Sequence, residues 1–165
     1  MADSEKNTFP QLLLQQASVR GNHPAIREKS LGIWQTYTWH QYLQQVRTLA
    51  GGLAALGFGR NTNLALVGEN RPRLYSALLA VQSLGGVPVP LYQDAVMEEM
   101  RFVLQNADIE YAIVEDQEQV DKLLAARAEY PKLQYIIYDN KRGLDNYQEP
   151  GLMSLDSLMA KGETY

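Results

Sequence analysis

Leu64-Ala65-Leu66-Val67-Gly68-Glu69-Asn70-Arg71-Pro72 and, further on, Gly85-Gly86-Val87-Pro88-Val89-Pro90-Leu91-Tyr92 decide the fold. The uninterrupted apolar run 64–67 reads as a strand buried on both faces. Pro72 suits the first turn of a helix, where no backbone N–H is needed. That helix is expected to run to about Leu84, to be broken by Gly85-Gly86, and to be followed by a strand over 87–91. A strand, a helix and a strand in sequence is the unit of a parallel sheet, because parallel strands need a crossover. The alternation continues toward the C-terminus. Asp94 is placed to cap a helix through Gln105, 111–114 reads as a strand, 117–128 as a helix stopped before Pro131, and 134–138 as a fourth strand. The expected fold class is α/β, a parallel sheet with helices on both faces.

Toward the N-terminus, Thr8 can cap a helix with Pro10 in its first turn and Leu12, Leu13, Leu14 and Ala17 on its apolar side. Residues 25–29 and 33–37 read as a hairpin around Ser30-Leu31-Gly32. Thr38 followed three residues later by Gln41 is a capping box. It opens a helix with Tyr42, Leu43, Val46, Leu49, Ala50, Leu53 and Leu56 at helical spacing, stopped at Gly57. After Lys141 the pattern weakens. Gly143, Asn146, Pro150 and Gly151 punctuate it, and only 155–160 offers a turn or two of helix. The expected organisation is a flexible N-terminus over 1–7, an α/β unit over 8–140, and a tail or connection over 141–165.

The chain has 165 residues, 45% of them hydrophobic, enough for one domain with a real core. Fifteen Lys and Arg against nineteen Asp and Glu leave a net charge of −4, which excludes a chain built mainly to hold nucleic acid. With no cysteine there is no disulfide framework, thiolate zinc site, iron–sulfur cluster or cysteine nucleophile. Two separated histidines, His23 and His40, make a histidine metal cage unexpected. No apolar run approaches a membrane span, and Met1 to Lys6 is too polar for a signal peptide, so a cytoplasmic location is expected.

Several short patterns invite a functional reading and favour a structural one. Gly57-Phe58-Gly59 lacks the third glycine of a dinucleotide fingerprint and precedes a strand, so it reads as a turn. Gly85-Gly86 follows a helix, the wrong end of the dipole for an anion. Ser83 lies near a helix end with no histidine after it, so no hydrolase triad in the usual order can be built on it. Asp94, Glu98 and Glu99 at a helix start are favoured there by the dipole alone. Two loops stand out, because ligands in open parallel sheets bind outside the carboxyl ends of the strands. They are Gly68-Glu69-Asn70-Arg71 and Leu91-Tyr92-Gln93-Asp94. Tyr92 offers a stacking face, with Gln93 and Asp94 beside it, and Arg71 and Arg73 are candidate anion contacts. No catalytic residue and no metal ligand is expected.

Four stretches together resemble the N-terminal part of the AMP-forming adenylating enzymes, and within them the long-chain fatty acyl-CoA synthetases. Trp34-Gln35-Thr36-Tyr37-Thr38-Trp39-His40-Gln41-Tyr42 is similar to the family's aromatic entry to its first long helix. Residues 65–72 are similar to its strand and Asn-Arg-Pro turn. Residues 79–92 are similar to its small-apolar helix, Gly-Gly and Val-Pro-x-Pro-Leu-Tyr segment, the most specific of the four. Residues 103–107 and 112–116 match a later helix and strand. The chain departs from the family pattern at Arg73-Leu74-Tyr75, where many relatives carry Glu-Trp, and at Gln93-Asp94-Ala95, where many carry Ser or Thr.

The resemblance covers about residues 8–140. It implies a parent enzyme that activates a fatty acid with ATP and Mg²⁺ to an acyl-adenylate, then transfers the acyl group to CoA. It also implies that the loop at Tyr92, Gln93 and Asp94 lies on the CoA side. The family's phosphate-binding loop, Mg²⁺ glutamate and mobile domain with its lysine have no counterpart in this sequence. The segment is therefore expected to be structural, without tight ATP binding, and partnered by the rest of a parent chain. Homo-oligomerisation is expected through uncovered apolar surface, and the parent is expected at most to lie peripherally on a membrane. A free-standing α/β binding or interaction module is the competing reading.

Overall fold

The Thr8 side chain accepts a hydrogen bond from the Gln11 N–H and starts α1 (Phe9–Arg20). This computed structural model describes residues 8–165; the segment 1–7, expected to be flexible, lies outside the described residues. β1 (Pro24–Ser30) and β2 (Ile33–Thr38) form a separate antiparallel hairpin. Its loop is Leu31-Gly32, both at positive φ (49° and 81°), and Ser30 faces Ile33. The expected capping box is present. Thr38 and Gln41 exchange side-chain-to-backbone bonds of 3.2 and 2.8 Å and open α2 (Trp39–Ala55).

A second sheet follows. β3 (Asn63–Val67), α3 (Pro72–Ser83), β4 (Val87–Leu91), α4 (Met97–Asn106), β5 (Tyr111–Val114), α5 (Gln117–Glu129) and β6 (Tyr135–Tyr138) alternate as expected. Gly57 and Gly85, at φ 89° and 75°, take the left-handed conformation just past the ends of α2 and α3. The strands are all parallel, in the order β4-β3-β5-β6-β7, with β7 (Leu152–Ser154) at the far edge.

The period of two divides the buried side chains into two cores. Leu64, Leu66, Tyr111, Ile113 and Ile137 face α1, α2, α3 and α6 (Leu155–Thr164). Ala65, Val67, Ala112, Val114 and Ile136 face α4 and α5. Leu64, Leu66, Ile113, Ile136 and Ile137 are at most 2% exposed, each contributing about 1.5–3 kcal/mol by burial.

Two expectations are corrected. The segment after Lys141 does not trail away. β7 adds a fifth strand, and α6 packs across α2, its Leu155 and Leu158 buried. Ser154 caps α6 by accepting from the Ser157 N–H at 3.1 Å. Asp94 does not cap α4. It sits in a turn closed by the Ala95 N–H donating to the Tyr92 carbonyl, and α4 begins after Val96 with no side-chain cap. Glu98 and Glu99 in its first turn supply the dipole-compensating charge instead. α5 carries a capping box not anticipated from the sequence, Asp116 with Gln119.

Candidate functional site

The chain leaves β3 for α3 on one face of the sheet and leaves the adjacent β5 for α5 on the other. A crevice must open between the carboxyl ends of two strands whose connections part in this way. Gly68, Glu69 and Arg71 come from the β3 end, Glu115 from the β5 end, Asp139 from the β6 end and Arg73 from α3.

These residues form two ion-pair groups. Glu115 accepts from the Glu69 N–H at 2.6 Å and from Arg71 Nε at 2.8 Å. Arg71 Nη2 reaches Glu69 at 2.9 Å. Burial works against the Arg71 charge, yet Glu115, with Glu69 behind it, outweighs burial and raises its pKa. Arg73 spans Asp139 at 3.0 Å and Asp156 of α6 at 2.5 Å. Its Nη2 also lies 3.5 Å from the Met159 sulfur, and its buried Nε has no hydrogen-bond partner among the described residues. Burial pushes the Asp139 carboxyl above the ordinary carboxylate range, with Arg73 pulling against it. Two guanidinium groups therefore meet four carboxylates, and the space they enclose is about 10 Å³, room for roughly one water.

Arg71 and Arg73 stand at the strand end as expected, but both spend their charge on carboxylates of this chain. The sequence reading missed Glu115, Asp139 and Asp156 as their partners. Glu115 and Asp156 lie 44 and 83 residues from their arginines, and only the sheet order brings them together. The signal available was the polar residue directly after each apolar strand: Glu115 after Val114 and Asp139 after Tyr138.

Tyr92, Gln93 and Asp94 lie across a cleft from the β3 loop. They wall an open cleft of about 570 Å³ together with Leu91, Gly68, Glu69 and Asn70. Tyr92 is 88% exposed. Lys122 of α5 donates to the Gln93 carbonyl at 3.1 Å and pairs with Glu118 at 2.7 Å, tying the loop to the second core.

Ser83 Oγ donates to the Leu79 carbonyl at 2.7 Å within α3. Phe58 is buried edge-on against Tyr111, with ring centroids 5.2 Å apart. Among the described residues no group of three or more His, Asp or Glu side chains could hold a metal ion. No described helix is long and apolar enough to cross a membrane.

Comparison with known proteins places this geometry. The chain is 28% identical over 130 residues to the long-chain-fatty-acid–CoA ligase ACSBG2 of Xenopus laevis, a match covering 79% of this chain and 18% of the relative. An uncharacterized Mycobacterium tuberculosis protein is 33% identical over 102 residues, which are 62% of this chain and 58% of that one. Among solved structures, the anthranilate CoA ligase AuaEII with anthranoyl-AMP superposes with a TM-score of 0.80 at 18% identity, covering 92% of this chain and 27% of that one. The matches thus span 18% of the ACSBG2 ligase and 27% of the AuaEII chain, and the hairpin and parallel sheet have the form of the adenylating enzymes' N-terminal domain. The family model described as AMP-binding enzyme matches residues 13–155, nearly the whole of both cores, and the chain belongs to that family.

Proposed function

We propose that this chain acts as the N-terminal α/β portion of an AMP-forming fatty acyl-CoA ligase. It builds the sheet and one wall of the active site, and the cleft at Tyr92, Gln93 and Asp94 lies on the CoA side. The observation carrying this reading is coverage: the superposition takes in 92% of this chain but 27% of a CoA ligase. Fatty acid as the substrate rests on the likeness to the ACSBG2 ligase.

The residues of the switch-point crevice do not fit a nucleotide phosphate or its Mg²⁺. Phosphate binding needs several backbone donors with a free basic group. Here the arginines are neutralised, the Glu69 N–H is taken by Glu115, and the space is nearly filled. No step of adenylation is assigned to them. CoA is a different case, because the Tyr92 cleft is open and its aromatic ring is free to stack on a purine.

The test is to read the gene past the Tyr165 codon and assay its product with ATP, CoA and a long-chain fatty acid. A ligase-length frame with acid-dependent AMP release is expected, and Tyr92→Ala in that product should raise the KM for CoA while sparing adenylation. Acyl-CoA formation by residues 1–165 alone would overturn the reading. The second reading, a free-standing α/β module, is favoured by the Mycobacterium tuberculosis relative, of which the match covers 58%. A frame ending at Tyr165 would select it.

A further inference from the structure

The β1–β2 hairpin carries apolar residues where neither backbone nor solvent favours them. Leu31 is 99% exposed, Ile33 64% and Trp34 59%. Leu31 occupies the left-handed position of a two-residue turn, at φ 49°, a place that Asn, Asp or Gly fills at least cost. A leucine there is strained by its own Cβ and gains nothing from burial. Such an outlier points toward function.

The arrangement of the three apolar residues discriminates between occupants. Ile33 and Trp34 are neighbours in β2 and point to opposite faces of the hairpin. A partner laid against one face covers one of them. A medium that surrounds the tip covers both, together with Leu31. Arg27 and Lys29 form a cationic row behind the tip, on the face that carries Trp34. Lys29 pairs across the hairpin with Trp34 and Arg27 with Thr36, and the Arg27 guanidinium lies 5.2 Å from the Trp34 ring centroid. Neither cation has a carboxylate partner among the described residues. Glu28, the hairpin's acid, is on the other face, where it accepts from the Tyr37 hydroxyl at 3.0 Å. An apolar tip, a tryptophan and a row of long cationic chains beside it match the acyl boundary, the interface and the phosphate level of a bilayer.

We propose that this hairpin tip inserts into an anionic lipid surface, Leu31 and Ile33 leading and Trp34, Arg27 and Lys29 at the headgroups. The inference stands independently of the ligase reading. The net charge of −4 does not oppose it, because attraction to the surface acts within about a Debye length.

The test is co-sedimentation of the 165-residue chain with vesicles of phosphatidylcholine, with and without phosphatidylglycerol. The wild-type chain is expected to sediment with the anionic vesicles and to be released by salt. The triple variant L31N/I33T/W34T keeps the backbone preferences, since Asn tolerates the left-handed turn and Thr favours strands. It should melt no lower than wild type and lose at least about tenfold in partitioning. The double variant R27Q/K29Q should lose roughly tenfold or more on anionic vesicles alone. Wild-type chain that ignores anionic vesicles, binds neutral ones equally, or is matched by the triple variant would overturn the proposal. So would a wild-type dimer that the triple variant converts to monomer without any vesicle binding.

Discussion

Arg73 is the residue on which the candidate crevice turns. It joins α3 to the β6 end through Asp139 and to α6 through Asp156, and it is only 28% exposed. Arg73→Met keeps the stem in place and removes the charge. At about pH 7 it should cost roughly 1–3 kcal/mol, because it leaves the half-buried Asp139 carboxylate unpaired. The pH dependence follows from the direction of the Asp139 shift. Burial already raises that carboxyl, Arg73 opposes the rise, and its removal lifts the pKa further. A carboxyl whose folded pKa lies above its unfolded value destabilises when ionised, and the penalty fades as pH falls toward about 4. Thermal melts should therefore show a wide gap between variant and wild type at about pH 7 that narrows near pH 4. The arginines were legible in the sequence as cations at a strand end. Their partners were not, since no local pattern states which strand ends become neighbours.

At the scale of elements, the seat of α6 on α2 is made by glycines. A Cβ at Gly52 would stand 2.3 Å from the Leu158 carbonyl oxygen, and no flexible side chain there can give way. At Gly162 the corresponding obstacle is the Thr48 carbonyl. Intrinsic propensity favours Ala over Gly in a helix by about 1 kcal/mol. The close backbone approach opposes it, and overpacking against atoms that cannot move costs about 1–3 kcal/mol or more. Gly52→Ala should therefore destabilise the fold despite the better helix former, lowering Tm by roughly 2–8 °C in a calorimetric scan. A rise in Tm would mean that α6 is loosely held. This packing explains why the C-terminal segment was misread. Leu155, Leu158, Met159 and Gly162 do recur at helical spacing, but β7 has only three residues. What makes α6 stable is a groove on a helix a hundred positions earlier. Elements with strong local signals were legible: the Thr38–Gln41 box, Pro72, and the four apolar strands. The start of α4 was not, because Asp94 is a good cap in isolation, yet the chain uses it in the turn that presents Tyr92.

At the scale of the whole molecule, Tyr42, Tyr111 and Tyr130 shift in one direction. Burial pushes Tyr42 up to about 12, with Tyr75 adding to the effect, and burial followed by the Asp108 hydrogen bond does the same to Tyr130. Tyr111 is raised as well, again chiefly by burial. Groups whose folded pKa exceeds the unfolded value of about 10 stabilise fully below it and lose that contribution as pH rises toward 12. Stability should fall steeply above about pH 10, in step with tyrosinate absorbance, and Tyr42→Phe should flatten that fall. The contribution proposed for the molecule is a sheet and a cleft wall, with no phosphate-binding cluster among the described residues. Micromolar affinity for a nucleotide corresponds to about 8 kcal/mol, and exposed ion pairs supply on the order of 1 kcal/mol or less each. Calorimetric titration of ATP·Mg²⁺ into the 165-residue chain, with pyrophosphate exchange in the presence of a long-chain acid, measures this directly. No binding in the micromolar range and no acid-dependent exchange are predicted; micromolar ATP affinity or acid-dependent exchange would contradict the account.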